Sequence, residues 1–322
     1  MLSPNTPALI LAPMEGVTDA PMRAVQGESG AFTFAVSEFL RISQSVPPRH
    51  VFLTHVPELR SGSKTPSGLP VQVQLLGGHA ERMGRAAALA CELGAAGIDI
   101  NFGCPAKTVN RHDGGATLLK YPQRIREIVA AVRAAVPADI PVSAKLRLGW
   151  DTLDAIHENA AMAAEGGASW ITIHGRTRDA GYAPPIHWSP IGRVREALKI
   201  PVVANGDIWT IDDFRRCRDA TGCNHFMLGR GALANPGLAG EIARELDLRD
   251  GAAEQLLDWP GLLGRLIEYS GEETSTGRIL RRAKQWLSLA ARHGRFTRFD
   301  EIKRTESLAE LLQLLRGTSD LA

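Results

Sequence analysis

The feature that most constrains this chain is an alternation. Eight short runs rich in β-branched residues lie at 9–12, 34–37, 71–74, 97–100, 142–146, 170–174, 202–205 and 225–228. Between them run longer stretches of helical periodicity, among them 80–93, 122–135, 154–165, 191–198 and 211–220. In the second of these, Ile125, Ile128, Val129 and Val132 recur at the spacing of one helix face. Strands that alternate with helices pair in parallel, and eight of them close a (β/α)8 TIM barrel, an α/β fold. A doubly wound open sheet is also compatible with the strand count.

The alternation stops at residue 247. Three further helical patterns follow at 259–269, 278–291 and 307–315, with 248–253 as a linker. The expected organisation is therefore a barrel over 1–247 and a small helical domain over 250–322. A composition of 44% hydrophobic and 22% charged residues in 322 suits a globular protein with a sizeable core. The apolar run at 8–12 is too short to span a bilayer, and no secretory pattern is read at the start. Four cysteines, at 91, 104, 217 and 223, are too few and too scattered for a disulfide framework. Cys217 and Cys223 have no histidine partner at zinc spacing, so no metal is expected. A reducing cytoplasm is the expected compartment.

Net charge is only +2, but its distribution is uneven. From Arg278 to Arg304 nine Lys and Arg face two acids, a local excess of seven that leaves the rest of the chain at −5. Such a segment is either a footprint for a polyanion or a solvated helix face.

In a barrel, ligands bind where the loops converge, at the C-terminal ends of the strands. The unusual residues of this sequence fall there in every case. Strand one ends in Pro13-Met14-Glu15-Gly16, strand two near Glu38 and Arg41, and strand three at Gln74. Strand four runs into Asn101-Phe102-Gly103-Cys104-Pro105, and strand five carries Lys145 and Arg147. Strand six ends in His174-Gly175-Arg176-Thr177, strand seven in Asn205-Gly206-Asp207, and strand eight in Gly229-Arg230-Gly231. A Gly-Asp pair alone is a turn signal. Eight coincidences together point to both a barrel and a site.

The last two loops read as a phosphate grip. Gly206 admits close approach of backbone amides to an anion, and Gly229-Arg230-Gly231 adds a guanidinium ahead of a new helix. No G-x-G-x-x-G follows the first strand, which argues against a Rossmann-type dinucleotide site. Lys64 lies in the polar stretch 60–68 and reads as solvated, whereas Lys145 lies in an apolar pattern. A buried ammonium needs a partner, either a ligand acceptor or a carboxylate such as Glu38 or Asp99. His174, at a strand end, is a further site candidate.

Cys91 sits among helical alanines and reads as packing, while Cys104 lies in a loop between Gly103 and Pro105. That loop continues into a polar, glycine-bearing stretch over 107–115 that can cover a ligand. A thiol with an ordinary pKa of about 8.5 is mostly protonated at neutral pH and can donate a proton; it can also act as a nucleophile. The residues alone leave both roles open.

The motifs in order resemble the tRNA-dihydrouridine synthase family. The run from Leu11 to Asp19, Leu-Ala-Pro-Met-Glu-Gly-Val-Thr-Asp, resembles the family's opening. The run from Asp99 to Pro105 resembles its N-x-G-C-P signature, with Phe102 at a position where variation is expected. Lys145-Leu146-Arg147-Leu148-Gly149-Trp150, His174-Gly175-Arg176-Thr177, Val203-Ala204-Asn205-Gly206-Asp207 and Gly229-Arg230-Gly231-Ala232 are similar to further blocks, so the resemblance covers essentially the whole chain. Segments 63–68, 114–120 and 283–287 most resemble the bacterial C-type subfamily, which acts on uridine 16 of the D-loop.

The resemblance implies FMN as cofactor, NADPH as reductant and tRNA as substrate, in a monomer with no obligate protein partner and no membrane association. It implies that Cys104 protonates the target uracil and that Asn101 orients it. Pro13, Met14, Glu15, Gln74, Lys145 and His174 would surround the flavin, with Asn205, Gly206, Asp207, Gly229 and Arg230 at its phosphate. Arg41, Tyr182, Arg282, Lys284 and Arg304 would contact tRNA. Two other functions fit parts of the pattern. One is an FMN-barrel dehydrogenase of a free dihydropyrimidine or dihydroorotate type, which has no need of the basic segment. The other is a tRNA-binding protein without catalysis, which would carry no flavin.

Overall fold

The computed structural model describes residues 2–3, 5–110, 114–248 and 258–316. Eight strands form in the expected places: β1 (Ala8–Leu11), β2 (Phe34–Arg41), β3 (Val71–Leu76), β4 (Ile98–Asn101), β5 (Val142–Arg147), β6 (Trp170–His174), β7 (Val202–Asn205) and β8 (His225–Leu228). Each pairs in parallel with the next, and β8 closes on β1 with Ala8–Leu11 against His225–Leu228. The closed barrel rules out the open doubly wound sheet.

Side-chain alternation sorts two apolar layers. Leu9 and Leu11 join the large core shared with the outer helices, including Ile125, Ile128, Val129 and Val132 of helix Pro122–Ala135. Ile10 and Ala12 belong instead to a small cluster with Phe34, Val36, Trp170, Val203 and Met227. Trp170 opens β6 and packs on Phe34, which opens β2, with ring centroids 5.8 Å apart. The barrel floor is therefore apolar, and the inward positions nearer the strand ends are free to be polar.

β2 runs four residues past its expected end at Ser37. Its register against β3 shifts between Val36 and Phe39, a bulge that opposes three steps to two. A bulge reverses the alternation beyond it. Phe39 consequently turns into the barrel mouth, while Glu38 lines a separate groove outside it.

Helices Trp259–Ser270, Thr276–Arg292, Phe299–Ile302 and Leu308–Arg316 follow the barrel. Of the linker read at 248–253, only Leu248 is within the described residues. The C-terminal helices share their core with the barrel: Leu263, Leu266, Trp286 and Leu287 pack with Met22 and Val25 of helix Ala20–Glu28 and with Leu233. Trp286 donates its indole N–H to the Leu233 carbonyl at 2.8 Å. Helix Ala20–Glu28 is anchored by a fully buried Arg23, paired with Glu58 at 2.8 Å and donating to the Thr18 carbonyl at 2.6 Å. Among the described residues no helix is long and apolar enough to cross a membrane.

Candidate active site

A cavity of about 580 Å³ opens at the C-terminal ends of the strands. Pro13, Met14 and Glu15 line it from the β1 end, Gln74 from β3, Lys145 from β5 and His174 from β6. Asn205, Gly206 and Asp207 line it after β7, and Gly229 and Arg230 after β8. Asn101, Cys104 and Tyr182 share the same walls. Arg41, Arg282, Lys284 and Arg304 are not among its lining residues.

One wall is a directional hydrogen-bond chain. Ser143 Oγ donates to Asp99 Oδ1 at 2.5 Å, and Gln74 Nε2 donates to Asp99 Oδ2 at 2.7 Å. Gln74 Oε1 accepts from Asn101 Nδ2 at 2.9 Å. Asn101 Oδ1 then accepts the backbone N–H groups of Gly103 and Cys104, each at 2.9 Å. Strand register makes this possible, since Gln74 pairs with Asp99 and Asp99 with Ser143.

The Cys104 backbone is held from the other side too. Its carbonyl accepts from the Ala116 amide at 3.1 Å and from Asn110 Nδ2 at 3.3 Å. Burial raises the thiol pKa above its ordinary value, and the charge of Glu15 adds to the rise. Arg147 and Arg41 oppose it. The group is therefore a thiol at neutral pH. Of the polar stretch expected over 107–115, residues 111–113 are outside the described ones.

Lys145 is half-buried, and its Nζ donates to Asn205 Oδ1 at 3.1 Å. It forms no ion pair with Glu38 or Asp99 among the described residues; Asp99 acts on it only through its field. Burial and the Arg147 charge push the Lys145 pKa down to about 8. His174 is buried, and burial together with Arg147, Lys145, Arg176 and Arg230 holds its imidazole well below the usual range. Its Nδ1 is buried without a hydrogen-bond partner among the described residues.

Across the mouth, Asp207 gathers two guanidinium groups. It pairs with the buried Arg176 and with Arg230 at 3.1 Å, leaving the trio with one net positive charge. Arg230 lies over Tyr182 at 4.6 Å and over Trp209 at 5.0 Å. Gly206 has a φ of +117, which a side chain rarely adopts. A Cβ at Gly231 would collide with the Ile208 carbonyl oxygen, so only glycine lets these two loops touch.

Several residues of the site were not singled out from sequence. Arg147, noted only as lying on strand five, braces two loops: it donates to the carbonyls of Gly103 at 2.8 Å, Thr177 at 3.0 Å and Gly181 at 2.7 Å. Asp99 entered only as a possible partner of Lys145. Its signal was available, because Asp99 and Asn101 are two apart on an otherwise apolar strand and so share the inner face. Trp209 carries no such signal. It lines the cavity and stacks on His293 at 3.9 Å, tying the mouth to the end of helix Thr276–Arg292.

The expected tRNA contacts outside the cavity divide. Arg41 and Arg304 are exposed. Arg282 pairs with Asp19 at 2.6 Å and donates to the Gly16 carbonyl. Lys284 donates to the carbonyls of Lys303 at 3.0 Å and Thr305. Arg282 and Arg278 line an open groove of about 520 Å³ with Glu38, His50 and Tyr269.

The cavity suits a ligand that is acceptor-rich along one edge and anionic at the other end. Gln74, Asn101 and Lys145 present N–H donors from β3 to β5, and Arg230 with Gly206 faces them from β7 and β8. The unpartnered Nδ1 of His174 is a buried polar atom that such a ligand would satisfy.

Comparison with known proteins gives the same picture at the level of the chain. The family model described as dihydrouridine synthase matches residues 10–318. A tRNA-dihydrouridine(16) synthase of Pseudomonas putida is 44% identical over 312 residues, covering 95% of this chain and 96% of that protein. One from Ralstonia nicotianae is 44% identical over 316 residues, covering 98% and 93% respectively. Among solved structures, histamine dehydrogenase from Rhizobium sp. 4-9 aligns with a TM-score of 0.56 at 15% identity, over 81% of this chain and 49% of that one, a likeness of fold alone.

Proposed function

The chain belongs to the dihydrouridine synthase family, and from that premise we propose that it reduces uridine 16 in the D-loop of tRNA to 5,6-dihydrouridine. FMN is the proposed cofactor and NADPH the reductant. When bound, FMN supplies a hydride to C6 of the uracil. The observation that carries this reading is that the Cys104 thiol shares one cavity with the donors Gln74, Asn101 and Lys145 and the cation Arg230.

The residues of the chain then have the following work. Cys104 Sγ holds the proton that C5 takes, and the resulting thiolate recovers one from solvent. Asn101 retains one amide hydrogen for the uracil after donating the other to Gln74. Lys145 places an ammonium where charge builds on an acceptor during reduction. Pro13, Met14 and Glu15 border the flavin, and Gln74 and His174 contact its ring. His174 is neutral, so it offers a hydrogen bond without adding a third cation beside Lys145 and Arg147. Arg230, held by Asp207, takes the cofactor phosphate with Asn205, Gly206 and Gly229. A uridine must leave its stack to enter the mouth, and contacts inside must offset that cost.

The proposed division is a catalytic barrel over 1–247 and a helical tRNA-binding part over 250–322. Arg41, Tyr182, Arg282, Lys284 and Arg304 are the proposed tRNA contacts. Arg282 and Lys284 already hold neighbouring backbone and side chains, so the exposed Arg278 and Arg281 join them. Four free thiols fit a reducing cytoplasm, and a monomer is the proposed state.

The test is spectroscopic and chemical. The purified protein is expected to show a flavin spectrum bleached by NADPH and to form dihydrouridine in unmodified tRNA. A colourless protein that binds tRNA would contradict the catalytic reading. Equal reduction of a free pyrimidine would favour a small-molecule dehydrogenase.

A further inference from the structure

We infer that Asp99 is a positioning residue for Cys104, acting through Gln74 and Asn101. This rests on the function proposed above. Asp99 lies in the barrel interior with 1% exposure and makes no contact with the mouth of its own. Its carboxylate accepts from Ser143 and Gln74.

The inference follows from the direction of each bond. An amide side chain can turn over and exchange its oxygen for its nitrogen. Here both ends of the chain forbid that. The backbone N–H groups of Gly103 and Cys104 can only donate, so Asn101 must present Oδ1 to them. Asn101 Nδ2 then needs an acceptor, which Gln74 Oε1 supplies. Gln74 Nε2 in turn needs an acceptor, and Asp99 Oδ2 supplies it. Burial raises the Asp99 pKa, but the outcome does not depend on its charge. A proton on Oδ1, shared with Ser143, leaves Oδ2 an acceptor.

Two consequences follow. Gln74 and Asn101 each keep one N–H for the cavity, so this wall offers donors only and selects carbonyl oxygens or unprotonated ring nitrogens. The backbone amide of Cys104 is also tied through two side chains to a carboxylate inside the barrel. Without Asp99, Gln74 can turn over and set its NH2 against that of Asn101. Asn101 can then no longer hold both backbone amides in place.

Three variants test this: Asp99→Ala removes the acceptor, Ser143→Ala is a smaller lesion that removes one donor to the same carboxylate, and Asp99→Asn retains a carbonyl for Gln74 while Ser143 turns to accept. The first measurement is hydrogen exchange of the backbone amides of Gly103 and Cys104, read without substrate. Faster exchange is expected there in Asp99→Ala, with the strands still protected. The second separates the two half-reactions. In Asp99→Ala, transfer to tRNA should slow about 100-fold, the scale expected when a reacting group is misplaced by about 1 Å, while FMN content and bleaching by NADPH, which feel only the altered Gln74 contact, should fall by much less. Ser143→Ala should shift both readouts in the same direction by less, and Asp99→Asn should recover most of the rate. Unchanged exchange at both amides overturns the inference, as does an equal loss in the two half-reactions that Asp99→Asn does not recover. A wild-type protein that bleaches but leaves tRNA unreduced contradicts the function instead, and the exchange result still decides the role of Asp99.

Discussion

The ammonium of Lys145 reaches past β6 to donate to Asn205 Oδ1 at 3.1 Å. Lys145 is on β5 and Asn205 ends β7, so one bond joins the donor wall of the cavity to its phosphate side. Register sets Thr172 beside Lys145 and His174 beside Asn205, so the bond crosses β6 between these two side chains.

Lys145→Met should keep the fold and slow uridine reduction about 100-fold, the loss typical of removing one preorganised donor. The pH dependence of stability gives a second check. Burial, then Arg147, brings the Lys145 pKa to about 8, against an ordinary value of about 10.4. Between these values the unfolded chain binds the extra proton, so this group's contribution makes stability rise with pH across that window. Below it the penalty is present in full. Denaturation midpoints of Lys145→Met should lack that rise, and an identical slope in wild type and variant would contradict the assigned burial cost.

The basic segment is testable through salt. Arg278 and Arg281 are exposed on helix Thr276–Arg292, whereas Arg282 is tied to Asp19. Arg278→Ala with Arg281→Ala should weaken tRNA binding and reduce the slope of log affinity against log salt by about one per lost phosphate contact. An unchanged slope removes this helix from the interface.

Trp286 holds the C-terminal helices to the barrel through the Leu233 carbonyl and an edge contact with Trp259 at 5.5 Å. Trp286→Ala should cost about 3–5 kcal/mol, as large buried aromatics do. Thermal or denaturant unfolding measures this directly, and a loss below about 1 kcal/mol would mean that the shared core contributes little.

The barrel was legible in the sequence because strand and helix periods differ and both recur without interruption. The site was legible because chemistry-bearing residues end every strand. Three features were not. The β2 bulge depends on pairing with β3, so the strand was read as ending at Ser37 and Phe39 was not placed in the mouth. Helix Ala20–Glu28 buries Arg23 and Gln26 on what reads as a weak apolar face, and its anchor Glu58 is thirty-five residues away. Arg282 and Lys284 look like free cations in a charge count, yet their partners Asp19 and the Lys303 and Thr305 carbonyls are set only by packing.

The central claim is that Cys104 protonates a uracil reduced in this cavity. Its most direct test is to incubate the purified protein with NADPH and unmodified tRNA and map dihydrouridine along the strand, in wild type and in Cys104→Ala. The wild type is expected to modify position 16. Cys104→Ala is expected to retain flavin and its bleaching by NADPH while losing dihydrouridine by about 100-fold to 10,000-fold, the range of a general acid. Full turnover by Cys104→Ala at the same position would contradict the role assigned to the thiol.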